Sequence, residues 1–215
     1  MRKLMRNTLT AGAAMAAVVG ITALPAHADV TWSVSGGTSI TGTNVGTLTA
    51  KDVTTGAAVT CTQATATGTA LNGTGLPGNG LATLTGATFA TPGNPNNWCS
   101  GPAGIVIRIT ADNLPNWKFN AVTPTATGAT GTLTGVKATI HGSDECDATI
   151  TGPGGGAGTI NGSYTNSSGE LAVSGGNLEV ATADDDCDPT LINATDKVTL
   201  NGKYKINPIL TITSP

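Results

Sequence analysis

A chain of 215 residues with ten basic and thirteen acidic side chains offers no basic patch, which argues against nucleic acid and anionic membrane surfaces as partners. Only 11% of residues are charged and 39% are hydrophobic, a balance that does not fit a disordered chain. Threonine and the 30 glycines favour strands and turns, and Glu, Lys, Gln and Met are scarce, so the composition predicts an all-β protein.

The N-terminus reads as a secretory signal peptide over residues 1–28. Arg2, Lys3 and Arg6 form a basic head, a small-residue apolar run follows, and Ala26-His27-Ala28 supplies an A-x-A cleavage site. The exported chain then keeps seven basic residues against thirteen acidic ones, and His141 is its only histidine. Nothing downstream is apolar for long enough to form a transmembrane helix. The expected location is extracellular or at the cell envelope.

Apolar residues then alternate with period two, the mark of antiparallel strands with one buried face. Ile105, Ile107 and Ile109 share a face in "GIVIRIT", as do Val136, Ala138 and Ile140 in "GVKATI". Leu171 with Val173, Val198 with Leu200, and Leu210 with Ile212 repeat the pattern. "TGLPGNG", "TPGNPNN" and "TNSSGE" read as turns, and "TGPGGGAG" as a hairpin loop. This spacing suits an antiparallel β-sandwich or barrel.

The chain also matches itself at an offset of 85. Trp32 falls on Trp117, "GTLT" at 46–49 on "GTLT" at 131–134, and Cys61 on Cys146; Cys187 lies three residues beyond the counterpart of Cys99. "WSV" and "WKF" have a late cousin in "YKI" at Tyr204–Ile206. The offset suggests an internal duplication, with repeats over about 30–115 and 116–213, inside a single β-domain spanning 29–215. Two tandem Ig-like domains are the alternative. If each copy keeps its own bridge, the disulfides are Cys61–Cys99 and Cys146–Cys187, and no thiol remains for catalysis or zinc.

Trp32, the two Cys pairs, "YTNSSGELAVSG", the acidic stretch around Cys187, "VTLNGKYKINP" and the "TITSP" ending stand in an order that resembles small secreted, Thr/Gly-rich proteins of actinobacteria. The resemblance covers nearly the whole exported chain. It implies a disulfide-containing β fold and no particular activity.

The second bridge would bring two acidic runs together: Asp144, Glu145 and Asp147 beside Cys146, and Asp184, Asp185, Asp186 and Asp188 around Cys187. Seven carboxylates in one neighbourhood repel one another, and a calcium ion would relieve this with oxygen ligands. Against it, "DDDCDP" has no EF-hand spacing, and exposed acids are solvated at little cost. Trp98, in "NPNNWCSG", is a candidate binding aromatic, although packing on its own disulfide is the plainer role. No catalytic residue is assigned: no G-x-S-x-G elbow is present, and His141 beside acids reads as a surface histidine. The expected function is a binding or envelope-associated protein for an unknown extracellular or cell-wall ligand, with possible calcium as its only cofactor. The alternatives are a secreted hydrolase using the acidic cluster and an outer-membrane β-barrel pore of a mycolate-bearing bacterium.

Overall fold

The structure, a computed structural model, describes residues 30–215, so the expected signal peptide lies outside the described residues. Sixteen strands follow one another: β1 (Thr31–Ser35), β2 (Ser39–Asn44), β3 (Leu48–Asp52), β4 (Ala58–Cys61), β5 (Gln63–Ala70), β6 (Gly73–Pro77), β7 (Ala82–Ala90), β8 (Cys99–Ser100), β9 (Val106–Asp112), β10 (Lys118–Thr125), β11 (Gly128–Gly142), β12 (Asp147–Thr151), β13 (Gly158–Thr165), β14 (Glu170–Ala183), β15 (Lys197–Asn207) and β16 (Thr211–Thr213). Helix among the described residues is limited to 3₁₀ turns at Pro95–Asn97, Pro102–Gly104 and Pro153–Gly155.

The ladders close on themselves. β15 pairs along one edge with β2 and then β3, which behave as one stave broken at residues 45–47. β5 and β4 lie against them as the next stave, then β7 with β8, then β10 with β9. β11 pairs with both members of that last stave and, on its other edge, with β12 and β13. β14 takes β12 and β13 on one side and β15 on the other, which completes the circle. The result is an eight-stave, up-and-down antiparallel barrel whose neighbours in space are neighbours in sequence. The two halves of the chain are built into this one sheet through β15–β2, β15–β3, β10–β7 and β11–β9.

Glycine sets where the long staves bend. The register of β11 against β13 shifts at Gly135, which has φ +84° and no room for a Cβ beside the Asn116 carbonyl. The register of β14 against β15 shifts after Gly175, beside Gly176 at φ +113°. Such bulges bend a strand and sharpen its twist, as a closed barrel requires.

A three-stranded sheet, β16–β1–β6, plugs one end. Trp32, Val34 and Ile212 pack there against Leu81, Phe119, Ala129 and Ile206 of the barrel. Side chains from β13 and its following turn hold the plug. The Tyr164 hydroxyl donates to the Leu210 carbonyl and accepts from the Leu210 amide, both at 2.9 Å. Asn166 likewise donates to the Ile212 carbonyl (2.9 Å) and accepts from its amide (2.8 Å).

Two expected turns differ. "TGLPGNG" contributes β6 because it lies on the edge of the plug, where Pro77 needs no outward partner and Leu76 lies opposite Trp32. "TGPGGGAG" joins no hairpin: β12 and β13 are one stave between β11 and β14, and the glycines make an excursion from it. The structure does not show the duplication: the offset of 85 lays β3 within the longer β11, but the matched landmarks do not take equivalent places in the barrel. Trp32 sits in the plug, whereas Trp117 lies in the break between β9 and β10 with its indole donating to the Asp112 carbonyl at 2.8 Å. Leu48 starts β3, whereas Leu133 is in the middle of β11.

Candidate functional site

The bridges are Cys61–Cys99 and Cys146–Cys187, with Cα–Cα distances of 4.7 and 4.4 Å. The second sits at the end opposite the plug and brings the two acidic runs together. Their carboxylates nonetheless point to separate tasks. Asp147 accepts from the His141 ring at 2.8 Å. Asp184 Oδ2 accepts from the Asp147 amide at 3.2 Å. Asp188 Oδ1 accepts from the Thr190 amide and hydroxyl at 2.8 Å each, and those bonds hold its carboxyl below its ordinary range. Glu145 occupies the turn at φ +68°, and Asp144, Asp185 and Asp186 are exposed. Among the described residues, the one group of three metal-capable side chains is Cys146, Asp184 and Cys187, and two of those are spent in the disulfide. The seven expected carboxylates are thus not drawn into one compact ligand set in this structure. Acids on successive strand and turn positions point in different directions, and backbone amides take up those that turn inward.

Trp98 is half-buried and packs against side chains of the neighbouring strands. Its ring meets His141 edge-on at 5.5 Å between centroids, and the Arg108 guanidinium lies 5.6 Å from the ring. Arg108, His141 and Asp147 are cross-strand neighbours on β9, β11 and β12. Among the described residues, His141 hydrogen-bonds to Asp147 and to no serine or threonine hydroxyl.

The larger feature lies inside the barrel. Inward positions of every stave meet around a cavity of about 170 Å³. The residues singled out by alternation form much of its wall: Ile109, Val136, Ala138, Ile140, Leu171 and Val173. A second cavity of about 100 Å³ lies toward the acidic end and shares the wall residues Ala50, Val59, Ile109, Ile140, Ile150 and Val198 with the first. An eight-strand barrel is just wide enough for side chains to fill or for one small ligand. Here the inward alanines (Ala50, Ala66, Ala82, Ala87, Ala138) and Gly42 leave space that larger residues would occupy. No protein family, characterised protein or solved structure matches the chain.

Polar groups touch this space at few points. Tyr204 lines the first cavity, and burial alone pushes its phenol up to about 12. Asp52 lines the second. Its Oδ1 accepts from the Thr54 and Thr55 amides at 2.8 and 2.9 Å, but its Oδ2 is buried with no hydrogen-bond donor. Asp196 lies beside it. Burial raises the Asp196 pKa, but hydrogen bonds from Asn193 and Thr54, together with contact to the Asp52 carboxyl, outweigh this and hold it low. Both carboxyls are more than nine-tenths buried. Sequence reasoning passed over Asp52 and Asp196 and read Tyr204 only as part of a recurring strand. Asp52 reads as an ordinary turn residue in "KDVTTG", and only barrel closure brings it to Asp196.

Proposed function

We propose that the protein is an exported binding protein whose barrel interior holds a small, largely apolar molecule. The observation that carries this reading is the pair of adjacent, largely apolar cavities within a closed barrel. Space lined by Leu, Ile, Val and aromatic side chains stays dry and takes apolar guests; about 150 Å³ is enough for benzene. The two disulfides and the absence of a long apolar helix among the described residues agree with an extracellular setting. A water-filled pore would need a polar lumen, whereas this lumen is apolar and plugged by β1, β6 and β16. The hydrolase reading finds no support in the acidic cluster, whose carboxylates are dispersed.

Titration of the oxidised protein with benzene and with n-butanol, followed by amide chemical shifts, tests the proposal. Saturable shifts confined to residues lining the cavities are expected. Filling the space with Ala138→Leu should abolish them while the fold persists. Binding of neither probe would overturn the reading.

A further inference from the structure

The acidic end of the cavity distinguishes one class of apolar guest from the rest. Asp52 Oδ2 is a buried acceptor with no donor, on a side chain only 8% exposed that lines the second cavity. Its neighbour Asp196 is another carboxyl, 7% exposed. A buried carboxylate oxygen without a donor is costly and two neighbouring carboxyls repel, so a donor or cation at Asp52 would relieve both. Asp144 and Asp188 also line this cavity, so every titratable side chain on its wall is acidic. The ion pairs among the described residues are His141–Asp147, Lys197–Glu179 and Lys203–Glu170, and none involves Asp52, Asp144, Asp188 or Asp196.

The remaining wall decides what kind of cation fits. Ile105, Ile107, Leu191 and Ile192 supply much of the rest of the wall, and six further wall residues are shared with the larger apolar cavity. A calcium ion seeks six to eight oxygens, and with Asp52 Oδ1 and Asp188 Oδ1 already accepting local N–H and O–H donors the three carboxylates on this wall offer fewer free ones. A primary ammonium needs only a few acceptors for its three N–H donors, and an attached alkyl or aryl group would fill the apolar space. Building on the reading of the barrel as a binding cavity, we infer that its ligand is a small primary amine with an apolar body, its ammonium held by Asp52.

The test compares n-butylamine, protonated at neutral pH, with n-butanol, its neutral counterpart of equal length. Affinities come from amide chemical shifts of the oxidised protein. The amine is expected to bind at least about tenfold more tightly. Asp52→Asn should reduce its affinity to that of the alcohol and leave alcohol binding intact. The wild-type ratio needs no variant, so the test survives if Asp52→Asn does not fold. Equal affinities, or butanol binding alone, would overturn the amine assignment and leave the apolar cavity reading standing. Saturable calcium binding at Asp52 and Asp196 without an amine preference would also overturn it. If neither molecule binds, both readings fall.

Discussion

Asp147 and Asp184 hold each other through the backbone. The Asp184 amide donates to the Asp147 carbonyl at 3.0 Å, and the Asp147 amide donates to Asp184 Oδ2 at 3.2 Å. The acidic stretch around Cys187 is thereby fastened to the end of β12, with the disulfide beside it. Its charge is spread over solvent and over local N–H donors.

Calcium should therefore leave stability unchanged. Thermal unfolding of the oxidised protein in millimolar calcium and in EDTA is expected to give the same Tm. A filled site at a hundredfold excess over Kd would add about 2.7 kcal/mol, a shift of several degrees. A calcium-dependent rise lost on Asp184→Ala would show that the runs rearrange into a cage.

The bridge itself contributes more. Cys146 and Cys187 are 41 residues apart, and closing such a loop restricts the unfolded chain by about 4 kcal/mol. The double replacement of Cys146 and Cys187 by Ala should lower unfolding stability by about that amount in urea. It should also increase amide exchange in β12 and the 184–196 loop before the plug is affected. A loss below about 1 kcal/mol would mean that the Asp147–Asp184 contacts hold this end without the bond.

Much of the barrel was legible in the sequence because period-two alternation reports burial directly. Ile109, Ile140, Val173, Leu200 and Ile212 all face the interior as their alternation predicts. The break points were not legible, because a glycine-rich excursion such as 152–157 looks the same whether it ends a strand or interrupts one. The functional end was less legible still. Seven acids beside cysteines draw attention in the sequence, yet the two buried carboxyls are Asp52 and Asp196, isolated residues 144 positions apart that meet only when β3 pairs with β15. Charge density in sequence marks solvated surface here, and burial marks the unusual pair.

Two glycines with nearly the same backbone angle separate conformational cost from lack of space. Gly56 has φ +83° and nothing within 4 Å of the point where a Cβ would stand, whereas Gly135 has φ +84° with the Asn116 backbone against it. Gly56→Ala should cost about 1–2 kcal/mol, the penalty of the left-handed region alone. Gly135→Ala should cost at least about 3 kcal/mol, since β11 must move away from the β9–β10 stave. Equal losses in urea unfolding would show that the bulge in β11 adapts freely.

Tyr204 makes the barrel sensitive to alkali. Its ordinary pKa is 10.0, and burial raises it to about 12 in the folded protein. The folded state thus holds a proton that the unfolded state releases between those values. Stability is complete below pH 10 and falls as pH rises toward 12, by roughly 1.4 kcal/mol per pH unit, or about 2–3 kcal/mol in all. Tyr164 is raised as well: burial lifts its phenol and outweighs the hydrogen bond with Leu210, so it adds to the same trend. Both tyrosines of the chain should resist ionisation at pH 10 while the protein is folded. Urea unfolding across this range should show the decline, and Tyr204→Phe should flatten most of it. Tyrosinate absorbance that rises at pH 10 without unfolding would mean that water reaches Tyr204 and that the cavity is wet.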